Sequence, residues 1–315
     1  MGRVYSVKGF LNAALRRSGK TLLVEGPSDK LTMHRLCIDL PEDATFVIDH
    51  AEMLGDDVSS IGNKDRVLAV RDEAARISNE FPKLKTALAV LTDREWDDLP
   101  SGVDRFREAW NAPTQGNNSF ITLGHSIENY SFTVEHASEF LKLNFSDILS
   151  QGSIRLVEEN FTSMIASAAC LSLAYQEAEV LRRSKNLLNS NSFNIEAGAF
   201  YLRADVANLL MNRGVDEGVA RNLVLRVNEL VAQNISALLT NGFLHWLPHG
   251  HVGEDALWSC IAACLRDSGT SEANCERVIG TVRNQGRTFF AHLLSKADRE
   301  SIFPLKDVVN WISRN

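Results

Sequence analysis

Four short apolar runs, at 21–24, 44–48, 86–91 and 120–123, most constrain what this chain can fold into. Each is strand-sized and apolar along its length, without the polar–apolar alternation of a half-exposed strand. Strands of that kind belong to a mostly parallel sheet covered on both faces. The covering helices are visible between and before the runs. Residues 4–18 place Val7, Phe10, Leu11 and Leu15 on one side, and 63–81 repeat Val67, Val70, Ala74 and Ile77 at helical period. A third helix is expected after Ser28, a residue suited to capping it. In such sheets ligands gather beyond the carboxyl ends of the strands. Three of the four exits carry acids: Glu25, Asp49, and the pair Asp93 and Glu95.

After residue 132 the texture changes. The segments 153–188, 198–211, 216–240, 254–268, 271–284 and 288–297 all read as helix. The expected architecture is an α/β domain over 1–131 and an all-helical region over 132–315, in line with 315 residues at roughly 150 per domain. A surplus of 40 acidic over 33 basic residues, net −7, excludes an extended basic coat for duplex DNA but not a local nucleic-acid site. The basic N-terminal stretch lacks the apolar core of a signal peptide, and no uncharged run of about 18 apolar residues exists to span a bilayer. Five cysteines, with Cys260 and Cys264 on one helix face, are expected as buried thiols of a reducing cytoplasm. No membrane association is expected.

The acids suggest a chemistry. Glu25-Gly26 followed by Asp29 sets two carboxylates around a strand-to-helix turn, where Gly26 permits close approach of a ligand. Asp93 and Glu95 point to the same side if the extended backbone persists through them. Hard oxygen donors converging from strand ends attract Mg2+ or Mn2+, not Zn2+. Mg2+ takes only one or two carboxylates, which leaves room for phosphate oxygens and a water. The plainer reading is that such acids cap helices and punctuate loops.

Leu23-Val24-Glu25-Gly26-Pro27-Ser28-Asp29-Lys30 resembles the first motif of Toprim domains, the fold shared by topoisomerases, bacterial primases and OLD-family nucleases. Thr92-Asp93-Arg94-Glu95 resembles their second motif, normally Asp-x-Asp, and His125-Ser126-Ile127-Glu128-Asn129-Tyr130 is similar to a signature of anti-phage Toprim effectors of the PARIS kind. The motifs span 21–130. The resemblance implies a Toprim-like mostly parallel sheet flanked by helices and a metal-dependent endonuclease acting on RNA, with host tRNA as target. Glu25 would be general acid/base or metal ligand, Asp93 and Glu95 would hold the metal, and Glu128 would complete it. Glu95 departs from the usual Asp by one methylene. Asp29 is a further ligand or a helix N-terminal acid, and Lys30 neutralises charge on the phosphorane or is a solvated helix lysine. The implied partner is an ABC-type ATPase that holds the effector inactive, with a homodimer as the active form. No Gly-x-x-x-x-Gly-Lys-Ser/Thr loop occurs, so that ATPase would be a separate protein.

Two further clusters stand out. His245, His249 and His251 fall within seven residues before a helix expected near Glu254. They are zinc ligands, phosphate binders at a helix start, or an ordinary turn. Arg182, Arg183 and Lys185, with Arg16-Arg17, Arg283 and Arg287, are solvated helix faces or an RNA-backbone contact. Trp96 is either a base-stacking surface beside the acidic pair or core.

Overall fold

The computed structural model describes residues 4–106, 111–297 and 301–314. Its chain divides into two compact units. One comprises Met1–Arg94, Ala112–Ile127 and Phe290–Asn315, the other Glu95–Asn111 and Glu128–Phe289. The division therefore differs from a single cut at 131/132. Packing, not chain order, decides membership: Arg105 donates to Gln176 and Asn241 to the Phe106 carbonyl, which ties 95–106 to the helical unit.

The sheet unit runs α1 (Val7–Arg16), β1 (Lys20–Val24), α2 (Pro27–Leu36), β2 (Phe46–His50), α3 (Asn63–Ile77), a single turn α4 (Leu84–Ala87), β3 (Leu88–Thr92) and β4 (Ser119–Ile121). The four strands are all parallel, in the order β2-β1-β3-β4. Ser6 caps α1 by accepting the Gly9 N–H at 3.1 Å. Leu23, Leu88 and Val90 share one face of the sheet and join Phe10, Leu11, Val67 and Val70 of α1 and α3 in a common core. Leu22 and Val24 point the other way and are equally buried, so both faces are covered. Each such side chain contributes roughly 1.5–3 kcal/mol through burial. The strands lie within two residues of their expected bounds. One acid changes position: β2 extends through His50, so Asp49 lies inside the strand opposite Leu23, and its Oδ2 pairs with Arg17 Nη1 at 2.7 Å. Asp49 is thus a structural partner and not a strand exit.

The order has a consequence for the site. From β1 the chain passes to β2 on one side and then crosses to β3 on the other. The switch point therefore falls between β1 and β3, the place where open α/β sheets open a crevice at the strands' carboxyl ends.

The helical unit contains α5 (Val134–Phe145), α6 (Gln151–Glu177), the hairpin β5 (Phe193–Glu196) and β6 (Ala199–Leu202), α7 (Val206–Asn212), α8 (Glu217–Leu239), α9 (Gly250–Asp267), α10 (Glu272–Thr281) and a π-helical turn over Val282–Gly286. The boundary with the sheet unit falls within α11 (Arg287–Lys296), and α12 (Leu305–Ser313) belongs to the sheet unit, where it packs on α2. α6 is the centre of the helical unit. Every residue from Ser163 to Tyr175 is buried, against α8 and α9 among others. Such an all-round buried helix carries its polar groups inward, and Ser172 Oγ returns to the Ala168 carbonyl at 2.8 Å. Residues 198–211, expected as one helix, instead close the hairpin and then form α7. The two-residue turn places Ala197 and Gly198 at φ 49° and 79°, the left-handed pair that a tight hairpin demands. Among the described residues no helix is long and apolar enough to cross a membrane.

Candidate functional site

In the sheet unit, β1 and β3 are neighbours, so Glu25 and Asp93 leave the sheet side by side at the switch point. Their positions are locked through the backbone. Glu25 Oε1 accepts the Asp93 N–H at 2.8 Å, and Asp93 Oδ1 accepts the Ile127 N–H at 3.1 Å. The segment leaving β4 is thereby drawn to the same edge. Thr122 Oγ1 accepts the Arg94 N–H at 2.9 Å and donates to the Gly124 carbonyl at 3.0 Å, and Lys64 Nζ donates to the Arg94 carbonyl at 3.2 Å. Two half-buried carboxylates on a rigid backbone frame result.

Asp29 lies one turn further on. Its Oδ2 accepts the Gly26 N–H at 2.8 Å, so it closes the first turn of α2 as an N-terminal cap. Of the two readings the sequence left open, the helix acid describes this geometry. Lys30, on the next position of α2, makes no side-chain hydrogen bond or ion pair among the described residues; together with burial it lowers the pKa of His34.

Glu95 and Glu128 belong to the helical unit. The extended backbone ends at Thr92, and Glu95 is exposed at φ 56° in the left-handed region. The condition for a same-side Asp93/Glu95 pair, persistence of the strand, is therefore not met. Glu128 opens a 3-10 turn over Ile127–Ser131, and its Oε1 lies 3.2 Å from His251 Nδ1. Arg287 Nη2 lies 3.1 Å from the same nitrogen, which donates to Glu128 or accepts from Arg287 according to its tautomer. Beside Glu128, which raises its pKa, His251 is brought below its ordinary value by burial and the positive charges of Arg287 and Lys185.

The three histidines diverge. His245 packs on Trp246, its ring centroid at 4.0 Å, and burial depresses its pKa to about 4. His249 is the N-cap of α9 and its N–H donates to Ser172 Oγ at 3.0 Å. Burial, then the neighbouring His251, takes it down to about 4 as well. Among the described residues no group of three or more His, Cys, Asp or Glu side chains is arranged to hold a metal, so the zinc reading of this trio has no geometric support. All five cysteines are buried free thiols.

Arg182 and Arg183 sit exposed on a 3-10 turn, with Arg183 donating to the Gly214 carbonyl. Trp96 is half-buried in the helical unit: its Nε1 donates to the Leu247 carbonyl at 3.2 Å and Arg105 covers its ring at 4.5 Å. That ring face is not open to a base. The sequence reading missed a cavity of about 220 Å3 in the helical unit, walled in part by Lys185, His251, Glu254, Asp255, Arg283 and Arg287. The available signal was the spacing 251, 254, 255 and 258, which puts three ionisable groups and Trp258 on one face of α9.

For Mg2+ the fit is a matter of donor chemistry. Glu25 and Asp93 offer hard carboxylate oxygens in the small number that this ion takes from protein, whereas Asp29 spends one oxygen on its cap. No protein-family model matches the chain, and no curated protein is significantly similar to it in sequence.

Proposed function

We propose that the chain is a Mg2+- or Mn2+-dependent endoribonuclease of Toprim type. In this reading it is the toxic effector of an anti-phage system, cutting host tRNA after release from a separately encoded ABC-type ATPase and acting as a homodimer. The observation that carries the reading is the backbone-locked pair Glu25 and Asp93 at the β1/β3 switch point. Bound there, a divalent ion supplies Lewis-acid polarisation of a phosphoryl oxygen and charge compensation. Glu25 moves the proton at the attacking or leaving oxygen, its carboxylate held in place by the Asp93 N–H. Asp93 would be the principal metal ligand, beside Glu25. Lys30, whose ammonium has no partner among the described residues, offsets the negative charge of the phosphorane. His249, His251, Arg182 and Arg183 contact the RNA backbone.

The test is cleavage of tRNA and of supercoiled plasmid by the purified chain with Mg2+ or Mn2+, alongside Glu25→Ala and Asp93→Ala. The wild type is expected to cut tRNA alone. Equal activity in all three proteins removes the assigned site, and cleavage confined to plasmid makes the chain a DNA nuclease of OLD type. The left-handed turn at Glu95 favours a second reading, a non-catalytic module that docks on the ATPase. Titration calorimetry separates the two, because such a module binds Mg2+ no differently after Asp93→Ala.

A further inference from the structure

We infer that the helical unit binds a phosphate monoester, free or carried by a nucleotide, in the cavity walled by Lys185, His251, Glu254, Arg283 and Arg287. Its volume, about 220 Å3, is below the roughly 300–1,000 Å3 of pockets that enclose a whole drug-sized ligand. It suits a phosphoryl group with part of its carrier.

The charges in the cavity are unequally used. Asp255 is fully engaged: its Oδ1 lies 2.5 Å from Arg283 Nη2, and its Oδ2 accepts the Leu188 N–H at 2.9 Å. This pair fixes the Arg283 guanidinium, which also donates to the Leu188 carbonyl. Lys185 and Glu254, by contrast, make no hydrogen bond or ion pair among the described residues. Among the described residues Arg287 reaches only the His251 ring nitrogen. Burial, with the Glu128 carboxylate adding to it, pushes the Glu254 carboxyl up to about 8 against the opposing pull of Arg287, so at neutral pH it is a hydrogen-bond donor. Lys185 and Arg287, with Arg283 already matched by Asp255, and the raised Glu254 carboxyl thus face a common space. The two unmatched cations disfavour a metal ion, and the donors would be left unsatisfied by an apolar ligand.

The spread of the donors suits a phosphoryl group. The donors come from three separate elements: Lys185 from the segment before β5, Glu254 from α9, and Arg283 and Arg287 from the π turn and the start of α11. The widened turn over Val282–Gly286 holds both arginines on the cavity side, and such turns recur at functional sites. Donors arriving from several directions match a tetrahedral dianion.

The inference does not rest on the nuclease reading, although His251 enters both, and its test is binding in EDTA. Calorimetry of the full chain with inorganic phosphate, AMP and adenosine is expected to show binding of the first two only. Tighter binding of AMP identifies a nucleotide as the occupant, and equal affinities identify free phosphate. Lys185→Ala, an exposed substitution, and Arg287→Ala are each expected to weaken binding at least 10-fold, with Arg155→Ala on α6 unchanged. Binding of adenosine as tight as AMP, no binding of phosphate or AMP at millimolar concentration, or unchanged affinity in both variants overturns the proposal.

Discussion

Glu25 and Asp93 in the sheet unit accept backbone amides, whereas Asp255 and Glu254 in the helical unit depend on an arginine partner and on burial. Glu25 and Asp93 each accept a main-chain N–H at a strand exit. Asp255 pairs with Arg283 and accepts the Leu188 N–H, while burial raises the Glu254 carboxyl against the pull of Arg287. A carboxylate fixed by amides keeps its charge for an incoming cation. A carboxylate matched by an arginine has already spent it. The same chemical change, acid to amide, should therefore have opposite consequences in the two places.

The largest effect belongs to the sheet unit and is on activity. Glu25→Gln retains an oxygen to accept the Asp93 N–H, so its Tm should stay within about 2 °C of wild type, less than about 1 kcal/mol. Under the proposed chemistry its tRNA cleavage falls by about 10²–10⁴-fold, the usual share of a general acid/base. A variant that keeps both fold and activity breaks the assignment. Asp255→Asn is the counterpart. It leaves Arg283 facing a neutral group in a site where the aspartate is almost wholly buried. Breaking such a pair costs about 3–5 kcal/mol. Urea unfolding should register the loss, and a change below about 1 kcal/mol would show that solvent already screens the pair.

Glu254 sharpens the contrast, because here the amide should stabilise. Its carboxyl is raised from the ordinary 4.5 to about 8. Below pH 4.5 both folded and unfolded states hold the proton and it contributes nothing. Between 4.5 and 8 only the folded state holds it, so stability falls as pH rises, and above 8 the full penalty remains. Glu254→Gln should therefore match wild type near pH 4 and exceed its Tm by about 2 °C or more at pH 8.5, as a 1 kcal/mol gain does in a domain this size. His245 and His249, both lowered to about 4, act on the other side. Their unfolded forms take up protons below about 6.5, so stability also drops as pH falls from 6.5 towards 4. Thermal melts across pH 4–9 should show a maximum between these slopes.

Where local pattern and burial coincide, the fold was legible from sequence. The runs ending at Val24 and Thr92 are apolar because both faces of the sheet are covered, and Glu25 and Asp93 stood out as the first polar residues beyond them. Asp49 was misplaced because its strand tolerates an acid opposite Leu23 once Arg17 pairs with it, a contact across 32 positions of sequence that no local pattern encodes. The cavity of the helical unit was legible only on its α9 wall: Lys185 and Arg287 join Glu254 only after α9 and the π turn have packed.

The hairpin is the most instructive loss, and it gives the smallest predicted effect. Phe193–Glu196 and Ala199–Leu202 flank Ala197-Gly198, a turn in which both residues adopt positive φ. Such turns favour Asn-Gly or Gly-Gly, and alanine at φ 49° carries a Cβ that this region disfavours. With alanine there the turn signal is absent, and Ala199, Tyr201, Leu202 and Ala204 read on as helix. The strain is tolerated because Phe193 and Phe200 are wholly buried, Asn228 accepts the Leu202 N–H and Ser163 Oγ donates to the Gly198 carbonyl. Relieving it should therefore help: Ala197→Gly is expected to stabilise by up to about 1 kcal/mol, Gly's larger unfolded-state entropy taking back part of the gain. Ala197→Asn, which tolerates the conformation without that entropy, should do at least as well. A loss of stability in both variants would mean that the alanine methyl contributes more to packing than its backbone conformation costs.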